Sequence, residues 1–331
     1  MRPYEELSAR GQVGRMRRVA RAALARFGLP DRPLGLLGHA ENTTFRVEHG
    51  GERFMLRVHR LKYHDAPEIE SELDWLEALA RDTGLSVPRP VVGPDGTRRV
   101  EVAVAGLGQP RQCVLLRWVE GRFVEKRPTA GWMAQVGALT ATLHAHAMGW
   151  ERPAGFVRPH WAAAGLVGPG SFWGDVTRLD GLTPAQVERL GRLAAWVRGA
   201  LDAYGTGADR YGLVHGDLHR HNVLSRGGAA SPIDFDDCGF GWLMYDMAVT
   251  LNGYRARDDF AALWDGWLRG YRSVRALDDM HLDVFEPLCA AREINVGAWV
   301  ASRGEIPEVR AFAPKMVERL MRECDRHGIA G

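Results

Sequence analysis

One stretch, LVHGDLHRHNVLSRGGAASPIDFDDCGFGWLMYD, residues 213–246, is rich in oxygen-bearing side chains, and three of them have the types and spacing for chemistry, apart from the further acidic pair Asp236 and Asp237. These three are Asp217, Asn222 and Asp234. Phosphoryl transfer from a nucleotide needs hard oxygen ligands for a divalent cation and a carboxylate that orients the attacking hydroxyl. On that reading Asn222 and Asp234 hold Mg2+, and Asp217 accepts or hydrogen-bonds the hydroxyl proton. The loop also carries His215, His219 and His221. His219-x-His221 beside Asp217 admits a second reading, imidazole ligands of a zinc hydrolase. A third is a solvated polar turn with no chemistry.

Short apolar runs bring these groups to one end of a hairpin. Gly212–Val214, Val223–Leu224 and Pro232–Phe235 predict strands, with a turn-rich insert at Ser225–Ser231. The interval from Asp217 to Asn222 is that of the kinase catalytic loop, with the metal-binding Asp on the following hairpin. HGDLHRHN followed by IDFDD resembles the aminoglycoside phosphotransferase and choline kinase superfamily, whose pattern is H-G-D-x-x-x-x-N with I-D-F/W downstream. The resemblance runs from about residue 34 to about residue 255; the helices beyond match in kind only. It implies an α+β, two-lobed protein-kinase-like fold. A small β-rich lobe, residues 1–118, binds nucleotide; a larger, mostly helical lobe, residues 119–331, carries catalysis and the acceptor, with ATP between them.

Upstream elements supply the rest of the expected site. Residues 8–27 space Val13, Met16, Ala20, Leu24 and Phe27 as an amphipathic helix with a basic outer face. Leu34–Gly38 and Thr43–Glu48 read as strands joined by GHAEN, a loop able to offer amides to phosphates. The family resemblance adds Asn42, Thr43 and Thr44 as side-chain donors there. Arg53–His59 alternates, with Phe54, Leu56 and Val58 on one face and Arg57 on the other. Kinases place a lysine on this strand to pair the phosphates; here Arg57 stands in that place. Ala66–Arg81 predicts a helix whose apolar arc contains Glu72. A carboxylate on an apolar face needs a partner, and Arg57 is the expected one. Residues 86–91, SVPRPV, form an extended linker before strands at Val100–Ala105 and Gln112–Val119. The end of the second resembles the adenine-reading strand of the superfamily, which implies roles for the Arg117 carbonyl and the Val119 amide.

From Thr129 the pattern is helical, with Met133, Val136, Leu139, Leu143 and Ala147 on one face. His144 and His146 are then core-edge and surface residues. Residues 150–183 show no period; Trp161, Phe172 and Trp173 are available either to pack or to line an acceptor pocket. A helix is expected at Thr183–Tyr204, and others near 242–254, 258–275, 281–303 and 306–328. Asp246 resembles a superfamily position that braces the catalytic loop.

Composition narrows the function class. With 43 basic and 41 acidic residues the net charge is +2, which points to neither nucleic acid nor a membrane surface as partner. Cys113, Cys238, Cys289 and Cys324 form no C-x-x-C pair, as expected of a cytoplasmic protein without disulfides or structural zinc. The resemblance implies an ATP- and Mg2+-dependent phosphotransferase acting on a small-molecule hydroxyl: an amino alcohol, aminoglycoside, homoserine-like or sugar-like acceptor. A Ser/Thr protein kinase of the same fold and a nucleotide-binding pseudokinase are the alternatives. The sequence does not name the acceptor or the oligomeric state.

Overall fold

The computed structural model describes residues 2–124 and 127–330. The chain divides into two compact units, Met1–Gly121 with Glu151–Val157, and Arg122–Trp150 with Arg158–Gly331.

In the first unit, α1 (Ala9–Arg26) starts at Ser8, whose hydroxyl accepts from the Gly11 amide at 3.3 Å. Its stripe of Met16, Val19, Ala20, Ala23 and Leu24 is buried. It packs on a five-stranded antiparallel sheet built from β1 (Leu34–His39), β2 (Thr43–His49), β3 (Glu52–Val58), β4 (Arg99–Val102) and β5 (Arg111–Arg117). The strand order is β1-β2-β3-β5-β4. Strand alternation turns Phe45, Val47, Phe54, Leu56 and Val58 into the same core as the helix stripe. Arg57 therefore points to the opposite face, the side of α2 (Ala66–Asp82). A reciprocal capping box between Asp65 and Glu68 starts α2.

The second unit contains β6 (Arg122–Phe123), α3 (Ala130–Gly149), β7 (His160–Trp161), α4 (Ala163–Leu166) and α5 (Pro184–Tyr204). Four short strands follow: β8 (Tyr211–Val214), β9 (Val223–Arg226), β10 (Ala229–Pro232) and β11 (Gly239–Trp242). The chain ends in α6 (Met244–Leu251), α7 (Phe260–Arg272), α8 (Phe285–Ser302) and α9 (Pro307–Arg326). Two three-stranded sheets form, β10-β9-β6 and β7-β11-β8. Helices α3 and α7 meet backbone to backbone. A Cβ on Gly270 would stand 1.9 Å from the Ala134 carbonyl oxygen, and one on Gly137 2.1 Å from that of Trp267.

The hairpin that precedes Asp234 differs from the expectation. The strand lies at Ala229–Pro232, its first three residues inside the expected turn, and pairs with β9 across Gly227 and Gly228. Both glycines have positive φ, 58° and 87°, as a tight two-residue hairpin turn demands. Apolar character alone placed the strand three residues late, because the small residues Ala229 and Ala230 carry no strand signal.

Candidate active site

The Asp217 loop follows β8 and is fixed by α6. The carboxylate of Asp246, fully buried, accepts the amides of His215 at 3.0 Å and Gly216 at 2.8 Å. One turn along the same helix face, Thr250 donates to the Leu218 carbonyl at 2.8 Å. Burial raises the proton affinity of Asp246, but His144 at 3.1 Å and the loop outweigh it and hold the carboxyl below its usual range. His144 is thus no core-edge residue: it is fully buried between Asp246 and the Tyr271 hydroxyl, because α3 packs tightly in this unit. The brace expected of Asp246 is present. Gly216, at φ +79°, admits no side chain, since a Cβ would lie 2.5 Å from the Asp237 carbonyl oxygen.

Asp217 and Asn222 are in direct contact. The Asn222 amide nitrogen donates to the Asp217 carbonyl at 3.0 Å and to its carboxylate Oδ2 at 2.9 Å. Arg292, from α8, donates to Oδ1. Burial weakens the hold of Arg292 on its proton, but the adjacent Asp217 more than compensates and the guanidinium stays charged.

Asp234 is joined to this loop through its neighbour. The Ile233 amide donates to the Asn222 carbonyl at 2.9 Å, and the Ile233 carbonyl accepts from His215 Nε2 at 3.1 Å. His215 is fully buried, which lowers its pKa and keeps the ring neutral, with Nδ1 free to accept the Asp217 amide at 3.4 Å. Asp234 itself is exposed and sits in left-handed backbone, φ +63°. Such a conformation costs a non-glycine residue about 1–3 kcal/mol and concentrates at functional sites. Beyond it, Arg158 donates to the carbonyls of Asp236 and Cys238, and Trp161 Nε1 to that of Asp237 at 2.9 Å. Trp161 and Trp173 are buried packing residues; Phe172 is half-buried against Trp161.

In the first unit, Arg57 and Glu72 form a buried ion pair at 2.6 Å, each 1% exposed. The pairing read from the strand and helix periods is present. Thr43, buried, is bonded to His39 at 2.8 Å, and Asn42 Oδ1 accepts the Arg60 amide at 3.0 Å. Both side chains thus shape the β1–β2 turn. At the end of β5 the Trp118 amide donates to the Arg53 carbonyl at 3.1 Å, while the Arg117 amide donates away from β3, to Arg89, at 2.8 Å. The register therefore turns the Arg117 carbonyl and the Val119 amide to the edge away from β3.

The donor chemistry fits a hard cation. With its nitrogen bonded to Asp217, Asn222 leaves its amide oxygen as the atom a cation can use, and Asp234 offers an exposed carboxylate. His219 and His221 do not fit zinc. Among the described residues, neither belongs to a group of three converging His, Cys, Asp or Glu ligands. The one such group, Glu286, Glu323 and His327, lies around Arg255, which pairs with both glutamates.

The sequence reading missed Arg158 and the roles of Arg292 and His144. All three act across distances in sequence that no local spacing reveals.

A family model described as "Phosphotransferase enzyme family" matches residues 34–277. A homoserine kinase from Pseudomonas aeruginosa is 34% identical over 232 residues, 68% of this chain and 65% of that one. The structure of a microcompartment-associated aminopropanol kinase superposes with a TM-score of 0.82 at 34% identity, covering 93% of this chain and 95% of the other. An amicoumacin kinase solved with AMP-PNP, Ca2+ and Ami shares the fold, with a TM-score of 0.78 at 20% identity over 95% and 96% of the two chains. The motif, the braced loop and the matched length agree: this chain belongs to the phosphotransferase enzyme family.

Proposed function

We propose that this chain transfers the γ-phosphoryl group of ATP, as its Mg2+ complex, to the hydroxyl of a short amine-bearing alcohol. The observation that carries the reading is the Asp217–Asn222 contact, which sets a carboxylate oxygen and an amide oxygen to different tasks. The acceptor oxygen attacks the γ-phosphorus and the bond to the β–γ bridging oxygen breaks, releasing ADP. Asp217 orients the hydroxyl and receives its proton. Asn222 and Asp234 would hold Mg2+, which neutralises charge on the phosphates. In the first unit, Glu72 holds Arg57 in place for the phosphates, Asn42 and Thr43 shape the turn that meets them, and the Arg117 carbonyl and Val119 amide read the adenine. Aminopropanol and homoserine, the acceptors named for two relatives, are both short alcohols with an amine, which supports that acceptor class over sugars and aminoglycosides. The four cysteines are buried and none is joined in a disulfide, which supports a reducing, cytoplasmic setting.

The test is an ATP-dependent phosphorylation screen over amino alcohols, hydroxy amino acids, aminoglycosides and sugars, with products weighed by mass spectrometry. A phosphorylated amine-bearing alcohol is expected. Asp217→Asn should lower its turnover by about 10²–10⁴-fold with nucleotide affinity retained. Turnover of sugars alone would refute the acceptor class.

A further inference from the structure

Arg292 lies 75 residues beyond Asp217, outside the loop motif and outside the matched part of the family model. It is 8% exposed, and its Nη2 donates to Asp217 Oδ1. The other carboxylate oxygen accepts from Asn222 at 2.9 Å. Two donors on different elements therefore grip different oxygens, and the carboxylate cannot rotate without breaking one bond.

The guanidinium is itself fixed. It lies over Trp173, 5.2 Å from the ring centroid, within the range of a cation–π contact. Trp173 meets Trp161 edge-on at 5.6 Å, and Trp161 Nε1 holds the Asp237 carbonyl at 2.9 Å. The guanidinium is also hydrogen-bonded to Tyr245, whose hydroxyl accepts from Asn295 at 3.3 Å. One line of packed groups thus joins the Asp217 carboxylate to the backbone just beyond Asp234.

We infer that Arg292, seated on Trp173, is a positioning residue for phosphoryl transfer that sets the orientation of the Asp217 carboxylate. This rests on the proposed role of Asp217 as the group that receives the acceptor proton. Stability alone does not account for the pair. Buried ion pairs are commonly replaceable by apolar residues of similar volume without loss of stability. Orientation does account for it, and for arginine in particular. Lysine supplies the charge but not the planar face that lies over Trp173.

The experiment compares Arg292→Met, Arg292→Lys, Trp173→Leu and Asp217→Asn in steady-state kinetics on the best acceptor from the screen, with ATP affinity and melting midpoint measured alongside. Arg292→Met should lower kcat by about 10²-fold, the loss that a small misplacement of a reacting group produces, with KM for the metal nucleotide unchanged. Arg292→Lys should fall between it and the wild type. Trp173→Leu should lower kcat too, and combined with Arg292→Met should add nothing further. Wild-type kcat in Arg292→Met beside an inactive Asp217→Asn would overturn this inference alone. An active Asp217→Asn would instead overturn the reading beneath it. A parallel fall of kcat, ATP affinity and melting midpoint in Arg292→Met would mark a role in folding and also overturn it. Should Arg292→Met not accumulate, Arg292→Lys decides: intermediate kcat supports the inference and wild-type kcat overturns it.

Discussion

Asp234 occupies left-handed backbone directly after Ile233, whose amide and carbonyl are both tied to the Asp217 loop. It carries the exposed carboxylate proposed above for Mg2+. Asp234→Ala should therefore weaken Mg·ATP binding more than binding of metal-free ATP in paired titrations; equal losses would remove it from the metal site. His215, which holds the Ile233 carbonyl, gives the loop a pH dependence. Burial places its folded pKa below the ordinary value of 6.5. The unfolded chain therefore takes up this proton first as pH falls. The stability owed to the neutral ring is complete above about pH 6.5 and is lost as pH drops through the folded value. Urea midpoints should decline from about pH 7.5 to 5.5 more steeply in the wild type than in His215→Gln, and identical slopes would dismiss the effect. The motif H-G-D-x-x-x-x-N showed where these residues lie. It could not show that the His holds the strand beyond the loop, since that contact spans 18 residues.

Elements were legible in the sequence wherever one face repeats. The period of α2 put Glu72 among apolar residues and that of β3 put Arg57 opposite a core face, so their pairing followed from two local patterns. Breaking a buried pair from one side costs about 3–5 kcal/mol, so Glu72→Ala should unfold at clearly lower denaturant. If the pair also serves the phosphates, Arg57→Ala and Glu72→Ala each raise the KM for ATP. Their double mutant should then show coupling of about 0.5–3 kcal/mol, and strict additivity would sink the pair's joint role. The junction of α3 and α7 was not legible, because a glycine in a helix carries no mark of what lies against it. Gly270→Ala pushes a methyl into the Ala134 carbonyl and should destabilise by about 1–3 kcal/mol through overpacking. Gly199→Ala, on the exposed face of α5 with nothing within 4 Å, should instead stabilise by about 0.5–1 kcal/mol. Denaturation midpoints that move the same way in both would contradict the packing assignment.

Across the whole chain, the matched region ends at residue 277, before α8 begins, yet α8 delivers Arg292 to the catalytic loop. Motif reading stops where helices match in kind only, and that is where this side chain lies. The same long reach governs the first unit. Its sheet and helices all lie before Gly121, but Glu151–Val157 belongs to it as well, and the Val157 amide donates to the buried Ser71 hydroxyl at 2.9 Å. On a translating ribosome, which adds about 5–20 residues per second, that last piece arrives about 2–7 s after Gly121. In the interval α3 is made, an apolar helix whose broadest partner, α7, is more than a hundred residues away. The nascent chain thus carries an unfinished first unit and a bare helix at the same moment, and the helix stays bare until α7 is made.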